Sequence, residues 1–357
     1  MKKIEKNTFF NKKILLWHKN DNKRLMPWKE EKDPYKIWLS EIILQQTRVE
    51  QGLSYYNKFI IKYPTINDLA IAAEQDVFKM WEGLGYYSRC KNLITTARFI
   101  SFDLKGIFPN EYEHILQLIG VGPYTAAAIA SFAYNLPIAV VDGNVLRVLA
   151  RYFGNYNPID SATGKKEYNI LAQKLMANAI PSQYNQAIMD FGATICKPQL
   201  PLCLTCVLQK KCIAYKKNIV KQLPVKEKKI AKKIRYFYYI VATYNNKIYI
   251  KKRTEKDIWQ NLWEFILVEA DKKETAEFFL NSSKIKTIIT ENYILQKFSP
   301  FYKQQLTHQT IEGIFIHIKL ESALQNSNFV CVDKIQMSTL AFPRIITNYF
   351  ENESKEK

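Results

Sequence analysis

Apolar residues recur at helical spacing from about residue 7 to residue 215, with polar faces between them. That period predicts a mainly α region. Asp33-Pro34 reads as an N-cap followed by Pro at the first helical position, opening a helix that runs to about Val49. Over residues 216–235 the pattern gives way to a basic stretch. Lys216, Lys217, Lys221, Lys226, Lys228, Lys229, Lys232, Lys233 and Arg235 face only Glu227, and Pro224 interrupts them. This is the composition of a linker that can also touch phosphates. Beyond it the period falls to two. Residues 236–242 and 247–252 read as strands joined by an Asn245-Asn246 turn, and 262–268 and 311–320 as further strands. Helices are expected near 273–282 and 342–350. The chain thus divides into a helical region over 1–215, a basic linker over 216–235 and a mixed α+β domain over 236–357, with no internal repeat.

A chain of 357 residues exceeds one ordinary core, in keeping with two or three domains. Hydrophobic residues at 47% and charged residues at 24% exclude a disordered chain. The formal net charge of +19 points to a polyanionic partner, although a general richness in Lys gives the same excess. No window of about 18 apolar residues exists, so no membrane span is expected. The first 19 residues are basic, and Asn11, Lys12 and Lys13 break their apolar positions, unlike a secretory signal. A reducing cytoplasm is the expected location.

That compartment bears on the cysteines. Four of the six fall in one run, Cys196-x6-Cys203-x2-Cys206-x5-Cys212. Pro198 and Pro201 keep the run out of a helix, so a short loop can gather four thiolates around a metal. Structural zinc more often pairs two C-x-x-C knuckles, and only one is present; a 4Fe–4S cluster also takes four Cys. Spacing alone leaves zinc and iron–sulfur both open. Cys90 and Cys331 stand apart and read as small core residues.

Between two apolar helical stretches lies Leu118-Ile119-Gly120-Val121-Gly122-Pro123-Tyr124. Gly120 and Gly122 permit a tight turn with φ > 0, and the N–H groups opening the next helix can hold a phosphate. A plain helix–helix turn fits equally well. Glu41 sits among Ile37, Trp38, Leu39, Ile42, Ile43 and Leu44. Burial there would raise its pKa and suit a general acid; a solvent-facing Glu on an amphipathic helix is the alternative. Asp142 follows an apolar run and precedes Gly143-Asn144. It either caps the next helix or joins Glu41 in one pocket, where two carboxylates in different environments divide acid and electrostatic roles.

Taken together, the hairpin, the Val141-Asp142-Gly143-Asn144 segment and the cysteine run resemble the endonuclease III superfamily of DNA glycosylases. Within it, residues 38–49 (WLSEIILQQTRV) and 83–89 (GLGYYSR) are similar to the MutY-type adenine glycosylases, and the match covers most of residues 20–215. Trp259, Leu262, Trp263, Glu264 and Phe265 resemble the segment that marks that family's Nudix-like C-terminal domain. The resemblance implies a helix–hairpin–helix glycosylase fold with an iron–sulfur loop, followed by an α+β Nudix-like domain. It implies excision of adenine mispaired with 8-oxoguanine or guanine in double-stranded DNA, by a monomer associated with the bacterial nucleoid. Glu41 matches the acid that protonates adenine N7, and Asp142 the carboxylate that stabilises the sugar cation. Tyr124 and Asn144 match residues lining the same pocket. Arg24, Trp28 and Gln186 match positions around the flipped adenine, and Gln46 and Tyr86 match wedges into the duplex. Cys196, Cys203, Cys206 and Cys212 match the ligands of a 4Fe–4S cluster that holds a DNA-binding loop in shape. A base inside a duplex is out of reach, so extrusion and wedging are the expected route.

Two positions depart from the family's pattern. Lys29 stands where Arg is frequent, which removes a planar bidentate donor. Leu306-Thr307-His308 stands where Phe-Ser-His reads the lesion; the hydroxyl of Thr307 and the imidazole of His308 remain, while His308 as a surface residue at a strand end is the alternative reading. Superfamily members that also cut the strand carry Lys at the position of Tyr124, and Tyr cannot form a Schiff base. That favours a monofunctional enzyme over an endonuclease III-like lyase acting on oxidised pyrimidines. A damage-binding protein without catalysis is the third reading, and the pair Glu41 and Asp142 argues against it. No acidic Nudix box is present, so the second domain is expected to read DNA.

Overall fold

The computed structural model describes residues 2–177, 179–227, 232–280 and 283–355. Contacts group the chain into two compact units, Met1–Ala70 with Thr95–Lys229 and Ile71–Ile94 with Ile230–Lys357. Residues 228–231 of the basic stretch lie outside the described residues.

The first unit is helical. Asp33 accepts a hydrogen bond from the Tyr35 N–H and Pro34 occupies the first turn, so Pro34–Leu44 starts where the sequence places it. It ends at Leu44 and not near Val49. Gln46 adopts φ +58, a left-handed conformation that stops the ladder, and Val49–Lys62 begins a new helix. Helices Lys2–Asn20, Gly143–Phe153 and Pro181–Thr194 enclose the main core, with Phe10, Ile14, Trp17, Leu149, Tyr152 and Phe191 buried at its centre. Gly192 lets the last two helices meet: a Cβ there would stand 2.8 Å from the Asn144 carbonyl oxygen.

The second unit is built on one sheet. Its strands are β1 Lys233–Tyr244, β2 Lys247–Lys252, β3 Trp263–Ala270, β4 Tyr293–Phe298, β5 Tyr302–Gln305, β6 Gln309–Leu320 and β7 Val330–Val332. The order is β4-β6-β1-β3-β2-β7, with β5 also on β6. The strands β1 and β6 run parallel, from Lys233 opposite Gln309 to Thr243 opposite Lys319. Asn245 and Asn246 both take positive φ, the conformation of a tight two-residue hairpin. Alternation then sorts the faces. Tyr238, Ile240, Ile316 and Ile318 pack with Phe279 and Ile285 on one side. On the other, Phe315 stacks between Tyr239 and Tyr349, the latter from helix Arg344–Glu353. The helix expected at 273–282 is observed as Ala276–Leu280, with Ser283–Ile288 after it. No helix among the described residues is long and apolar enough to cross a membrane.

Candidate active site

A cavity of about 1400 Å³ opens in the first unit. It brings together eight of the residues singled out in the sequence: Arg24, Trp28, Glu41, Gln46, Tyr124, Asp142, Asn144 and Gln186. Glu41 projects from a helix that is apolar on nearly every side, and it is 7% exposed. Burial lifts its carboxyl pKa to about 7; a hydrogen bond from Tyr124 opposes the rise and the charge of Asp142 adds to it. Burial also holds the Tyr124 phenol well above its usual range, so Tyr124 donates and stays neutral.

Asp142 serves both readings entertained for it. It caps helix Gly143–Phe153, accepting from the Val145 N–H at 2.7 Å, and it lines the cavity. Burial raises its pKa, while Val145, Asn144 and Arg147 pull it down. Asn144 donates to its other oxygen at 2.6 Å. Arg147 fixes Asn144 in turn, donating to its side-chain carbonyl at 2.8 Å and to the backbone oxygens of Gly192 and Cys196, each at 2.7 Å.

The cavity rim from Asp21 to Asp33 has neither helix nor strand and is tied down by Asp190. This fully buried carboxylate accepts from Arg24 and Asn22, each at 2.8 Å, and lies 3.7 Å from the Lys29 ammonium. Trp28 packs edge-on against Tyr56. Lys29, the departure noted above, donates to the Arg24 carbonyl at 3.1 Å and so supports Arg24 from behind.

Cys196, Cys203, Cys206 and Cys212 line a second, small cavity with Arg151. Burial raises Cys206 to about 12, with the neighbouring thiols adding to the rise, and it raises Cys203 and Cys212 as well. Arg151 laces the loop, donating to the carbonyls of Lys197 at 2.7 Å and Leu223 at 2.9 Å and lying 3.5 Å from Cys196 Sγ. Among the described residues no three Cys, His or acidic side chains are gathered closely enough to hold one ion.

In the hairpin, Gly120 takes φ +79, in the left-handed region that favours glycine. Gly122 does not: it caps helix Pro123–Tyr134 at φ −92, an ordinary extended value, with open space where a side chain would stand. Neither glycine lines the large cavity. In the second unit Tyr86 adopts φ +46, and its hydroxyl hydrogen-bonds the Thr307 hydroxyl. Thr307 and His308 are both exposed at the turn between β5 and β6.

Sequence reasoning missed Arg147, Arg151 and Asp190. A signal existed for each. Asn144 and Arg147 stand three apart on one helix, Arg147 and Arg151 four apart, and Asp190 is a lone carboxylate in the apolar run 187–193, the same pattern that marked Glu41.

The profile of the HhH-GPD superfamily base excision DNA repair protein matches residues 39–175, and that of the NUDIX domain matches residues 237–352. The adenine DNA glycosylase of Buchnera aphidicola subsp. Acyrthosiphon pisum is 37% identical over 82% of this chain and 83% of its own. That of Buchnera aphidicola subsp. Baizongia pistaciae is 36% identical over 89% of each. Among solved structures, a thermostable thymine-DNA glycosylase superposes with a TM-score of 0.57 at 32% identity, covering 61% of this chain and 100% of its own. Endonuclease III in a non-covalent DNA complex shares the fold, with a TM-score of 0.51 at 20% identity over 59% of this chain and 96% of its own. With curated relatives this similar along 82% and 89% of its length, the chain belongs to the adenine DNA glycosylases, within the HhH-GPD superfamily of base excision DNA repair proteins.

Proposed function

We propose that this protein flips adenine out of a duplex in which it is mispaired with 8-oxoguanine or guanine and hydrolyses the bond between base and sugar. The observation that carries this reading is Glu41, a buried carboxyl poised at about 7, hydrogen-bonded by Tyr124 and sharing its cavity with Asp142. Neutral Glu41 gives its proton to adenine N7. The C1′–N9 bond then breaks and its electron pair leaves with the base. The Asp142 carboxylate, held by Asn144 and the Val145 N–H, stabilises the cationic sugar. Water adds to C1′ and returns a proton to the Glu41 carboxylate.

Arg24, Trp28 and Gln186 surround the flipped base. Gln46 and Tyr86 fill the gap in the stack, and Thr307 and His308 read the opposite base. The Gly120–Gly122 hairpin presents backbone N–H groups to a phosphate. Tyr124 offers no amine for a Schiff base, which supports a monofunctional enzyme. Residues 216–235 act as a linker between a glycosylase region over 1–215 and a lesion-reading domain over 236–357.

Cys196, Cys203, Cys206 and Cys212 hold a 4Fe–4S cluster. The four residues line one small cavity, and four cysteine thiolates are the donor set that a 4Fe–4S cluster takes. The thiols of Cys203, Cys206 and Cys212, which burial holds in the protonated form, would gain a positive partner that favours the thiolate. When bound, the cluster supplies a fixed frame for the loop.

Single-turnover cleavage of duplexes holding adenine opposite 8-oxoguanine, guanine or thymine, or an oxidised pyrimidine, tests the proposal with and without alkali. Breaks only after alkali, and only for adenine opposite 8-oxoguanine or guanine, are expected. Breaks without alkali, or on oxidised pyrimidines, would replace this reading with the lyase.

A further inference from the structure

The turn that carries Tyr86 is unusual backbone held by side chains, with the Tyr87 hydroxyl accepting from the Gly83 N–H at 3.1 Å. Gly83, Gly85 and Tyr86 take φ values of 91°, 74° and 46°. Tyr86 is the costly member, since a residue with a Cβ pays to sit in the left-handed region. Its ring is 39% exposed, so burial of that ring does not set the conformation. Arg89, one turn into helix Tyr87–Arg98, closes the loop from beneath. It is 7% exposed, and its guanidinium donates to the carbonyls of Leu84 at 3.3 Å and Gly85 at 3.2 Å. Its guanidinium carbon lies over both neighbouring rings, 5.2 Å from the Trp81 ring centre and 5.6 Å from that of Tyr86. The Trp81 indole N–H donates to the same Gly85 carbonyl at 3.1 Å.

We infer that Arg89 is the positioning residue for Tyr86. It sets the ring in its wedge orientation before DNA arrives. The inference rests on the proposed wedging role of Tyr86 and extends it. One guanidinium does two things at once: its N–H groups fix two carbonyls of the left-handed turn, and its face supports the ring that leaves the turn. A Lys cannot do both, because an ammonium has no face to stack. Pre-setting the ring matters because the wedge must enter the stack as the adenine leaves it, and a ring that has to be ordered first subtracts from affinity.

The test uses the full-length protein and a duplex with 2-aminopurine, whose fluorescence rises on unstacking, beside an adenine opposite 8-oxoguanine. Arg89→Lys, Arg89→Gln, Tyr86→Ala and the double variant Arg89→Lys/Tyr86→Ala are titrated against it. Wild type is expected to unstack the probe and Tyr86→Ala to fail. Each Arg89 variant should weaken binding on the order of tenfold, with a smaller fluorescence rise. The double variant should bind no worse than Tyr86→Ala alone. A general folding defect from losing Arg89 would instead add to the Tyr86 loss, and that additivity overturns the inference. If the Arg89 variants unstack the probe like wild type while Tyr86→Ala does not, Arg89 has no positioning role and the wedge stands. If Tyr86→Ala also unstacks it, the wedge reading falls and takes this inference with it.

Discussion

Removing the Tyr124 hydroxyl should extend this enzyme's activity to higher pH. The phenol donates to Glu41 and is the contact that holds that pKa down against burial and against the charge of Asp142. In the proposed mechanism Glu41 acts as an acid, so activity should be present below its pKa and lost as pH rises through about 7. A hydrogen bond to a charged group is worth about 1.5–3 kcal/mol, and one pKa unit about 1.4 kcal/mol. Tyr124→Phe should therefore move the alkaline limb up by about one unit or more. At pH 8 the acid fraction rises from about 0.09 to about 0.5, so the rate relative to the variant's own plateau gains about fivefold even if the plateau falls. Single-turnover rates at sub-saturating enzyme, measured from pH 5 to 9, report the pKa values of the free enzyme. A limb that stays in place or moves to lower pH would refute the assignment of Glu41 as the titrating acid. In the same mechanism Asp142 must be ionised, so the acid limb should follow its raised pKa, and Tyr124→Phe should leave that limb in place.

Glu41→Gln should abolish excision and stabilise the fold. A carboxyl at 4.5 unfolded and about 7 folded imposes no penalty below pH 4.5 and its full penalty above pH 7. The gain in unfolding free energy should thus be near zero at pH 4 and at most on the order of 3 kcal/mol at pH 8. Protein purified without oxygen should absorb in the visible range and lose that absorption in Cys206→Ser; a colourless protein holding stoichiometric zinc would overturn the cluster. In the second unit, Arg253 and Glu264 form a buried pair at 2.6 Å. Glu264→Ala should cost up to about 3–5 kcal/mol by removing the buried partner of the guanidinium, less whatever Asp257, 3.0 Å from Arg253, retains, read as a lowered denaturation midpoint for that unit.

Much of this site is legible in the sequence, because its strongest signals are local. Glu41 is buried since the residues one turn either side of it are apolar, and Asp33-Pro34 starts its helix as expected. The end of that helix is not legible. Gln46 carries no mark of its left-handed backbone, and neither Gly nor Pro punctuates the run 44–49. Tyr86 also carries no mark of its left-handed backbone in its own residue type, although Gly83 and Gly85 precede it. Pairings over distance stay hidden for another reason. Asp190 meets Arg24 across 166 residues, and the parallel match of β1 with β6 joins segments far apart in the chain. Periodicity shows which face of an element is buried and not what lies opposite it. The two glycines of the hairpin look alike in sequence, yet only Gly120 uses a left-handed conformation that favours glycine.

The grouping of Ile71–Ile94 with Ile230–Lys357 has a consequence for how the protein is made. Lys79 Nζ donates to the Leu340 carbonyl at 2.9 Å, and the Phe342 N–H donates to Glu82 at 2.7 Å. The ribosome releases Lys79 and Glu82 long before either partner exists. About 135 residues separate the two segments of this unit, roughly 7 to 27 seconds of synthesis at 5–20 residues per second. Helices of the first unit can form as they emerge, while the early segment waits for the sheet. Nascent chains stalled before residue 230 should therefore be cut by protease within 71–94 more readily than the finished protein.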